Sequence, residues 1–464
     1  MARTKDAALS LEKKLAQALV PVEEQPYEVP ENWCWCRMDR LYTINPKVSA
    51  PDEIEAAFVP MERIEAGLSS AFTFEIQSWS KARKGHTQFA DGDIAFAKIS
   101  PCFENRKSII IEGLPNGIGG GTTELIVLRN RMVDRQYTYY QICADRFIQG
   151  GRQTYSGTVG QQRISMDYVR SYPIPLPPLH EQHRIVDQIE RLFAELDEAK
   201  ERAQAVIDSY EDRKASILHR AFTGELTEEW REKNNLTLSD WRSTPWGDFI
   251  LSIEAGKNWS ADGRPPLDGE FGVVKVSAVT WGEFNENESK TCLLSEQWND
   301  KVQIHTGDFL FSRANTLQLV GNCVIVSNIS KRLMLSDKIL RLSFSVEVVP
   351  RYVLHFTRSD FYRKQIEELA TGNQDGMRNI AQNQMRKVSF PIPTLAEQHE
   401  IVRILDSLLM KESAAKAAAE QAIDQIDTMK KSILARAFRG ELGTNDPNDE
   451  PAIELLKRSL EARA

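Results

Sequence analysis

Polar loops that combine arginine or lysine with asparagine or glutamine carry the side chains in this sequence best suited to chemistry. Arginine and lysine hydrogen-bond to guanine, and asparagine and glutamine to adenine, so such loops are suited to reading bases. Loops of this composition are also ordinary solvated turns. The candidate residues are Lys81, Arg83, Lys84, Lys98, Gln161, Gln162, Arg163, Lys257, Asn258, Arg313, Asn315, Gln374, Arg378 and Asn379.

Two carboxylates and a lysine, Asp268, Glu288 and Lys290, provide the components of a magnesium-dependent nuclease. Three common residue types at loose spacing also arise by chance, so a stand-alone nuclease is the alternative hypothesis. The chain has no G-x-x-x-x-G-K-[ST] phosphate loop and no Asn-Pro-Pro-aromatic tetrapeptide. The sequence therefore predicts no catalytic site.

The segment His180-Glu-Gln-His183 resembles a metal motif but does not have the H-E-x-x-H spacing. We interpret it as a polar helix start, where the negative charge of Glu181 is favoured near the helix N-terminus. We expect no metal ion to bind this chain.

Length and composition predict a folded protein of two domains. The chain has 464 residues, of which 41% are hydrophobic and 27% charged, and this is more than one core usually holds. No run of 18 apolar residues predicts a membrane span, and the first 20 residues do not resemble a signal peptide. Six dispersed cysteines without a C-x-x-C pair suggest a reducing cytoplasm.

The net charge of −8 is unusual for a protein that binds nucleic acid. The segments 30–175 and 240–390 are close to neutral, with 17 Lys and Arg against 16 Asp and Glu, and 18 against 18. The segments 176–239 and 391–464 hold most of the excess acid. Each large segment can therefore still have a basic face.

An internal repeat organises the chain. Residues 175–226 align without gaps onto 391–442, and 24 of the 52 positions are identical. The match is strongest at Pro175–His183 against Pro391–His399 and at Lys214–Leu226 against Lys430–Leu442. A single repeat of this length indicates a duplicated half-molecule rather than a solenoid.

Each copy of the repeat predicts one long helix between a proline cluster and a glycine, Gly224 or Gly440. Apolar residues recur at alternating steps of three and four, which is typical of a coiled-coil seam. About 40 residues of helix extend roughly 60 Å. The alternative is two separate amphipathic helices that each cover their own domain. The seam residues are Ile185, Ile189, Leu192, Leu196, Val206, Ile401, Leu405, Leu408, Ile426 and Ile433.

The two large segments also resemble each other weakly. Gly92–Lys98 and Gly307–Arg313 are both Gly-Asp turns that lead into a strand pattern, and an apolar strand and an aromatic helical stretch come after each. We predict an α+β fold in which two mixed α/β domains are separated by two long helices. The duplication implies pseudo-twofold symmetry, and the two helices form an antiparallel coiled coil if the domains lie at opposite ends of it. The predicted divisions are an N-terminal helix at 1–29, domains at 30–175 and 240–390, and helical regions at 176–239 and 391–464.

The repeated proline turn before Glu-Gln-His and the repeated S-I-L-x-R-A-F-x-G-E-L resemble the conserved regions of Type I restriction-modification specificity subunits. Pro30-Glu-Asn-Trp33 is similar to the start of the first recognition domain in that family, and the segment from Asn445 to Arg463 resembles its C-terminus. Thr394 and Ala396 depart from the first copy of the proline turn. These motifs cover about a quarter of the chain.

The resemblance implies a non-catalytic subunit in which each domain reads one half of a bipartite, asymmetric DNA site. It implies two modification (methyltransferase) subunits and two restriction (motor-nuclease) subunits as partners, which would hold SAM, ATP and Mg²⁺. A coiled-coil adaptor that holds two protein-binding domains without DNA is a third hypothesis. The residues that would serve methyltransferase docking and the spacer are Glu181, Gln182, His183, Ser216, Arg220, Phe222, Glu397, Gln398, His399, Ser432, Arg436 and Phe438.

Overall fold

The structure, a computed structural model, describes residues 10–158, 160–374 and 377–462, without the side chains of residues 373 and 374. It divides into two compact units. Unit 1 comprises Met1–Ala203 and Gln421–Ala464, and unit 2 comprises Gln204–Glu420. Unit 1 is therefore assembled from both ends of the sequence, whereas unit 2 is continuous.

The described residues form α-helices and β-strands in mixed order, with short 3-10 turns between them. The helices are α1 (Leu11–Ala18), α2 (Met38–Leu41), α3 (Trp79–Ala82), α4 (Arg135–Cys143), α5 (Asp145–Arg152), α6 (Met166–Ser171), α7 (Leu179–Asp208), α8 (Tyr210–Phe222), α9 (Glu228–Lys233), α10 (Pro350–Phe356), α11 (Asp360–Leu369), α12 (Gln382–Met385), α13 (Leu395–Ala437) and α14 (Ala452–Ala462).

The strands are short, and most have two to five residues. They are β1 (Cys34–Arg37), β2 (Thr43–Ile44), β3 (Glu55–Val59), β4 (Glu75–Ser78), β5 (Thr87–Ala90), β6 (Ile94–Ala97), β7 (Ser108–Ile110), β8 (Ile118–Gly121), β9 (Leu125–Arg129), β10 (Pro173–Leu176), β11 (Arg242–Pro245), β12 (Ile250–Ala255), β13 (Ala261–Asp262), β14 (Phe271–Val274), β15 (Ser289–Cys292), β16 (Phe309–Ser312), β17 (Ala314–Asn315), β18 (Cys323–Ile325), β19 (Arg332–Met334), β20 (Ile339–Phe344), β21 (Thr371–Gln374), β22 (Met377–Asn379) and β23 (Ser389–Ile392).

Unit 1 contains a two-stranded sheet, β1-β10, and two four-stranded sheets, β2-β9-β6-β7 and β4-β3-β8-β5. The first four-stranded sheet is antiparallel, and β6 is buried along its whole length. In the second, β3 pairs with β8 in parallel and with β4 in antiparallel direction. The helices α4 and α5 supply aromatic side chains to the same core, including Tyr137 and Phe147.

Unit 2 repeats this topology from different residues. Its sheets β11-β23 and β12-β20-β16-β18 match the first two sheets of unit 1 in order and direction. The sheet β13-β15-β14-β19 again contains one parallel pair, β14 with β19. A further small sheet, β17-β22-β21, occurs in unit 2. Both units are therefore mixed α/β domains, as the weak sequence similarity predicted.

The predicted Gly-Asp turns precede the central strands of both units. Gly92 and Gly307 have φ angles of 83° and 94°, a region that glycine adopts without steric cost. The strands after these turns, β6 and β16, are wholly buried. Each predicted aromatic helical stretch forms two helices, α4 with α5 and α10 with α11.

The first copy of the repeat is not one uninterrupted helix, and that prediction was wrong at a single position. Helix α7 ends at Asp208 and α8 begins at Tyr210, with Ser209 between them at φ −86° and ψ 1°. The Ser209 hydroxyl donates to the carbonyl of Ala205, an interaction that bends helices. Arg213 donates to the Ser209 hydroxyl and to the carbonyl of Val206. The second copy is the single helix α13.

Side chains of the two repeat copies contact each other within each unit. In unit 1, Lys200 forms an ion pair with Asp427 at 3.0 Å, and Lys430 with Asp197. In unit 2, Arg213 forms an ion pair with Glu412 at 2.6 Å. Residue numbers rise in one helix as they fall in the other. The ten predicted seam residues are all buried or half-buried.

The described part of the chain has no helix long and apolar enough to cross a membrane. All six cysteines are free thiols. The N-terminal helix predicted at 1–29 is shorter in the structure: the described residues form α1, followed by a 3-10 turn at Val22–Glu24. Residues 1–9 and Arg463 lie outside the described residues.

Candidate nucleic-acid interface

Unit 1 brings together two groups of candidate base-reading residues that are about sixty positions apart in the sequence. The backbone N–H of Ile164 donates to the carbonyl of Lys98 at 3.0 Å, and Ser100 donates to the carbonyl of Gln162 at 2.8 Å. The segment after β6 therefore lies beside the loop that carries Gln161, Gln162 and Arg163. We call this junction the unit 1 cluster.

Unit 2 joins the corresponding segments in the same way. Strand β17 pairs with β22, so that Asn315 lies opposite Arg378 and Ala314 opposite Asn379. The N–H of Ile380 donates to the carbonyl of Arg313 at 2.9 Å. The side chain of Gln374 lies outside the described residues, although its backbone belongs to β21. In both units, a polar loop close in sequence to the proline cluster meets the segment after the central strand.

The remaining candidates lie on other elements. Lys81, Arg83 and Lys84 lie on and just after the one-turn helix α3, whose first residue, Trp79, is fully buried. That tryptophan therefore belongs to the core and cannot stack on a base. Lys257 and Asn258 are exposed in the loop between β12 and β13, with Lys257 over the Trp259 ring.

Acidic neighbours limit the positive charge that these candidates offer. Arg163 pairs with Glu124 at 2.8 Å and lowers the pKa of that carboxyl by hydrogen bonding. Arg83 pairs with Asp52 at 2.6 Å. Asn315 donates to the Thr280 hydroxyl at 3.3 Å and accepts from the N–H of Thr316. These contacts hold the side chains in place before any ligand binds.

Sequence reasoning missed polar residues beside the unit 1 cluster. Gln149, Arg152 and Gln153, at and just after the end of α5, line an open pocket of about 410 Å³ together with Gln162. Glu104 and Tyr155 complete its wall. The sequence does contain a signal for this group, since four glutamines and two arginines occur in residues 149–163.

The repeated Glu-Gln dipeptide is buried inside the chain. In the first copy, the indole N–H of Trp33 and the amide of Asn445 both donate to Glu181 at 2.7 Å. Burial raises the pKa of Glu181, although these hydrogen bonds oppose the shift. Gln182 accepts from the N–H of Asp134, which caps the N-terminus of α4.

The second copy has the same arrangement, but there the glutamate also binds a charged residue. Glu397 accepts from Trp241 at 2.9 Å and forms a buried ion pair with Arg231 at 2.7 Å. Gln398 accepts from the N–H of Val349, the residue that precedes α10. In both copies, therefore, the Glu binds an indole and a residue from the segment that follows the other copy of the repeat. The Gln binds the backbone at the start of a helix in the domain.

These four Glu and Gln side chains are 0 or 1% exposed, so any part they take in partner docking has to be indirect. Phe222 and Phe438 are buried as well. The other residues assigned to docking are exposed in both copies of the repeat: His183, Ser216, Arg220, His399, Ser432 and Arg436.

No observation favours the nuclease hypothesis. Asp268 lies exposed in the loop between β13 and β14, and the Glu288 carboxylate accepts from the Ser277 hydroxyl at 2.6 Å. Lys290 is exposed on β15. Within the described ranges, no group of three or more His, Cys, Asp and Glu is placed to hold a metal ion.

Comparison with known proteins gives a family for this arrangement. The family described as the Type I restriction modification DNA specificity domain matches residues 57–207 and 265–424. The chain belongs to this family. The two matched regions each cover most of one domain and the helix after it.

Two relatives of this chain are described as Type I restriction enzyme specificity subunits. The chain is 28% identical to the Type I restriction enzyme EcoEI specificity subunit of Escherichia coli over 83% of its own length and 79% of the relative. It is 38% identical to the EcoAI specificity subunit of Escherichia coli over 45% of its length and 36% of the relative.

The fold has a solved counterpart. A crystal structure of the HsdS subunit from Thermoanaerobacter tengcongensis matches with a TM-score of 0.66 and 18% identity, over 91% of this chain and all of that one. The family assigns this chain the function of a specificity subunit, the non-catalytic DNA-recognition component of a Type I restriction-modification system.

Proposed function

We propose that each unit reads one half of a bipartite, asymmetric DNA site. The observation that carries this proposal is the equivalent placement of candidate base-reading residues in the two units. Each unit joins the segment after its central strand to a polar loop, and the side chains differ, with Lys98 and Gln162 in one and Arg313 and Arg378 in the other. Two domains of one topology with different polar groups suit two different half-sites.

The long helices of the repeat then form an antiparallel coiled coil that sets the distance between half-sites. Three ion pairs between the repeat copies, at residues 197–430, 200–427 and 213–412, support this arrangement. In unit 1, the residue numbers of the two pairs rise in one helix as they fall in the other, as expected for antiparallel helices. Spacing between half-sites is set in this geometric way in dimeric DNA-binding proteins.

The chain acts with two methyltransferase subunits and, in the restriction complex, with two restriction subunits. The exposed repeat residues Ser216, Arg220, Ser432 and Arg436 are available for such docking. SAM, ATP and Mg²⁺ are held by these partners rather than by this chain. Free cysteines fit a reducing cytoplasm as the location of the complex.

Methylation mapping of the host organism's genome, with and without this gene, tests the proposal. We expect one methylated motif to disappear with the gene, and that motif to consist of two short specified sequences separated by an unspecified gap. A single continuous motif, or methylation that persists without the gene, would contradict it.

A further inference from the structure

The pocket beside the unit 1 cluster is lined almost entirely by polar side chains that can form hydrogen bonds. Its walls carry two glutamine amides and the Arg152 guanidinium from the end of α5, a third amide from Gln162, the Glu104 carboxylate and the Tyr155 phenol. Amide, guanidinium and carboxylate groups are the ones that hydrogen-bond to base edges in the major groove.

The Glu104 carboxylate and the Tyr155 phenol interact with each other in the wall of this pocket, and Oε2 of Glu104 and the phenol oxygen are both buried. Burial raises the pKa of Tyr155, and its hydrogen bond with Glu104 raises it further, so the phenol keeps its proton. The exposed side chains of Gln149, Arg152 and Gln153 are therefore the groups that a ligand can reach.

The position of α5 is fixed by two adjacent glycines. A Cβ atom on Gly151 would lie 2.5 Å from the Phe103 ring, and one on Gly150 would lie 2.6 Å from the Tyr168 hydroxyl. The helix therefore packs closer to the core than any other residue type would permit. This contact orients the exposed side chains at positions 149, 152 and 153 toward the pocket.

The equivalent helix of unit 2 carries different chemistry. Helices α5 and α11 begin at Asp145 and Asp360. Counted from these residues as the first, the fifth, eighth and ninth positions of one helix correspond to those of the other. In unit 1 they are Gln149, Arg152 and Gln153, whereas in unit 2 they are Lys364, Glu367 and Glu368. Within the described residues Arg152 donates to Gln149 and forms no ion pair, but Glu367 is paired with Arg363 at 3.3 Å.

We propose that this pocket reads base edges in the half-site bound by unit 1, with Arg152 and Gln153 as specificity-determining residues. The inference rests on the proposed function and adds the residues that discriminate between bases. Arg152 suits guanine, and the glutamine amides suit adenine.

The test replaces the native chain in its host with Arg152→Ala or Gln153→Ala and maps the methylated motif. Loss of a side chain that reads a base should relax discrimination roughly 5- to 150-fold at one or two positions. We expect this relaxation in one half-site only, with the other half and the gap unchanged. The matched control is Arg170→Ala, an exposed arginine on α6 of the same unit, which should leave the motif intact.

Two outcomes would overturn the proposal. An unchanged motif in both variants would show that the pocket reads no base. If the native strain still methylates a bipartite motif, that result contradicts only this inference, and the proposed function is retained. Uniformly weaker binding by the purified complex, with an unchanged motif and a salt dependence reduced by about one unit of slope, would identify a phosphate contact instead. Thermal unfolding of each variant checks that these exposed substitutions leave the fold intact.

Discussion

At the scale of single residues, buried carboxylates explain why the repeat keeps a Glu-Gln dipeptide in both copies. Glu181 and Glu397 each accept the indole N–H of a tryptophan, Trp33 or Trp241, from the start of a domain. The sequence identifies the motif through its repetition, but it does not reveal that the side chains point inward. Their partners come from other parts of the chain.

Removing one partner of the buried Glu397–Arg231 ion pair should strongly destabilise unit 2. Both side chains are less than 10% exposed, and an uncompensated buried charge typically costs about 3–5 kcal/mol. We expect Glu397→Ala to lower the free energy of unfolding by that amount in urea titrations. Glu229→Ala, an exposed helix residue 3.7 Å from Lys233, is the control and should have no measurable effect. Equal stability of the two variants would contradict the role of the buried pair.

His355 should make unit 2 sensitive to acid. Burial lowers its pKa to about 4, although Asp406 accepts from the ring at 2.8 Å and opposes the shift. Arg351 and Arg358 lie nearby and lower the pKa further. The unfolded chain binds this proton near pH 6.5, so the stability from neutral His355 is complete above that pH and is lost as the pH falls toward 4.

Chemical unfolding across pH 4 to 7 measures this dependence. His355→Gln should reduce the slope of unfolding free energy against pH by at most about 1.4 kcal/mol per pH unit, the value for one proton. The exposed His305 provides the control variant His305→Gln. An unchanged slope in His355→Gln would mean that another group titrates in this range.

At the scale of elements, the sequence predicted the helices and strands that follow from periodicity and repetition. It did not predict the features that depend on side-chain contacts in the folded protein. The repeat located the long helices, and the Gly-Asp turns located β6 and β16. The interruption at Ser209 was not predicted, because it depends on where the hydroxyl and Arg213 direct their hydrogen bonds. The polar end of α5 was also missed, since its proposed role depends on a loop that approaches it only in the folded unit.

The close packing of α5 leads to a prediction about stability. Gly151→Ala should destabilise unit 1 by about 1–3 kcal/mol, because the added methyl overpacks against Phe103, which is 2% exposed. Gly263→Ala is the control, since no atom lies within 4 Å of its added Cβ. Differential scanning calorimetry of both variants measures the difference, and equal melting temperatures would show that α5 can shift without cost.

At the scale of the whole molecule, the proposed coiled coil acts as a ruler between two half-sites. Four residues inserted after Ala203 would lengthen one helix by about 6 Å, or roughly two base pairs, and would rotate the remainder of that helix. We expect the gap in the methylated motif to widen, or methylation to be lost. The same motif with the same gap would show that these helices do not set the spacing.

The split composition of unit 1 has a consequence for how the protein is made. Its core includes Leu434, Phe438, Leu455 and Leu456, packed against residues from the first part of the chain. On the ribosome, unit 2 is therefore complete before unit 1, although synthesis of unit 1 begins first. The N-terminal segment must wait through the translation of more than two hundred residues, with part of its apolar surface uncovered, until the C-terminal segment emerges. A chaperone of nascent chains would find its binding surface there, in the half that starts first and finishes last.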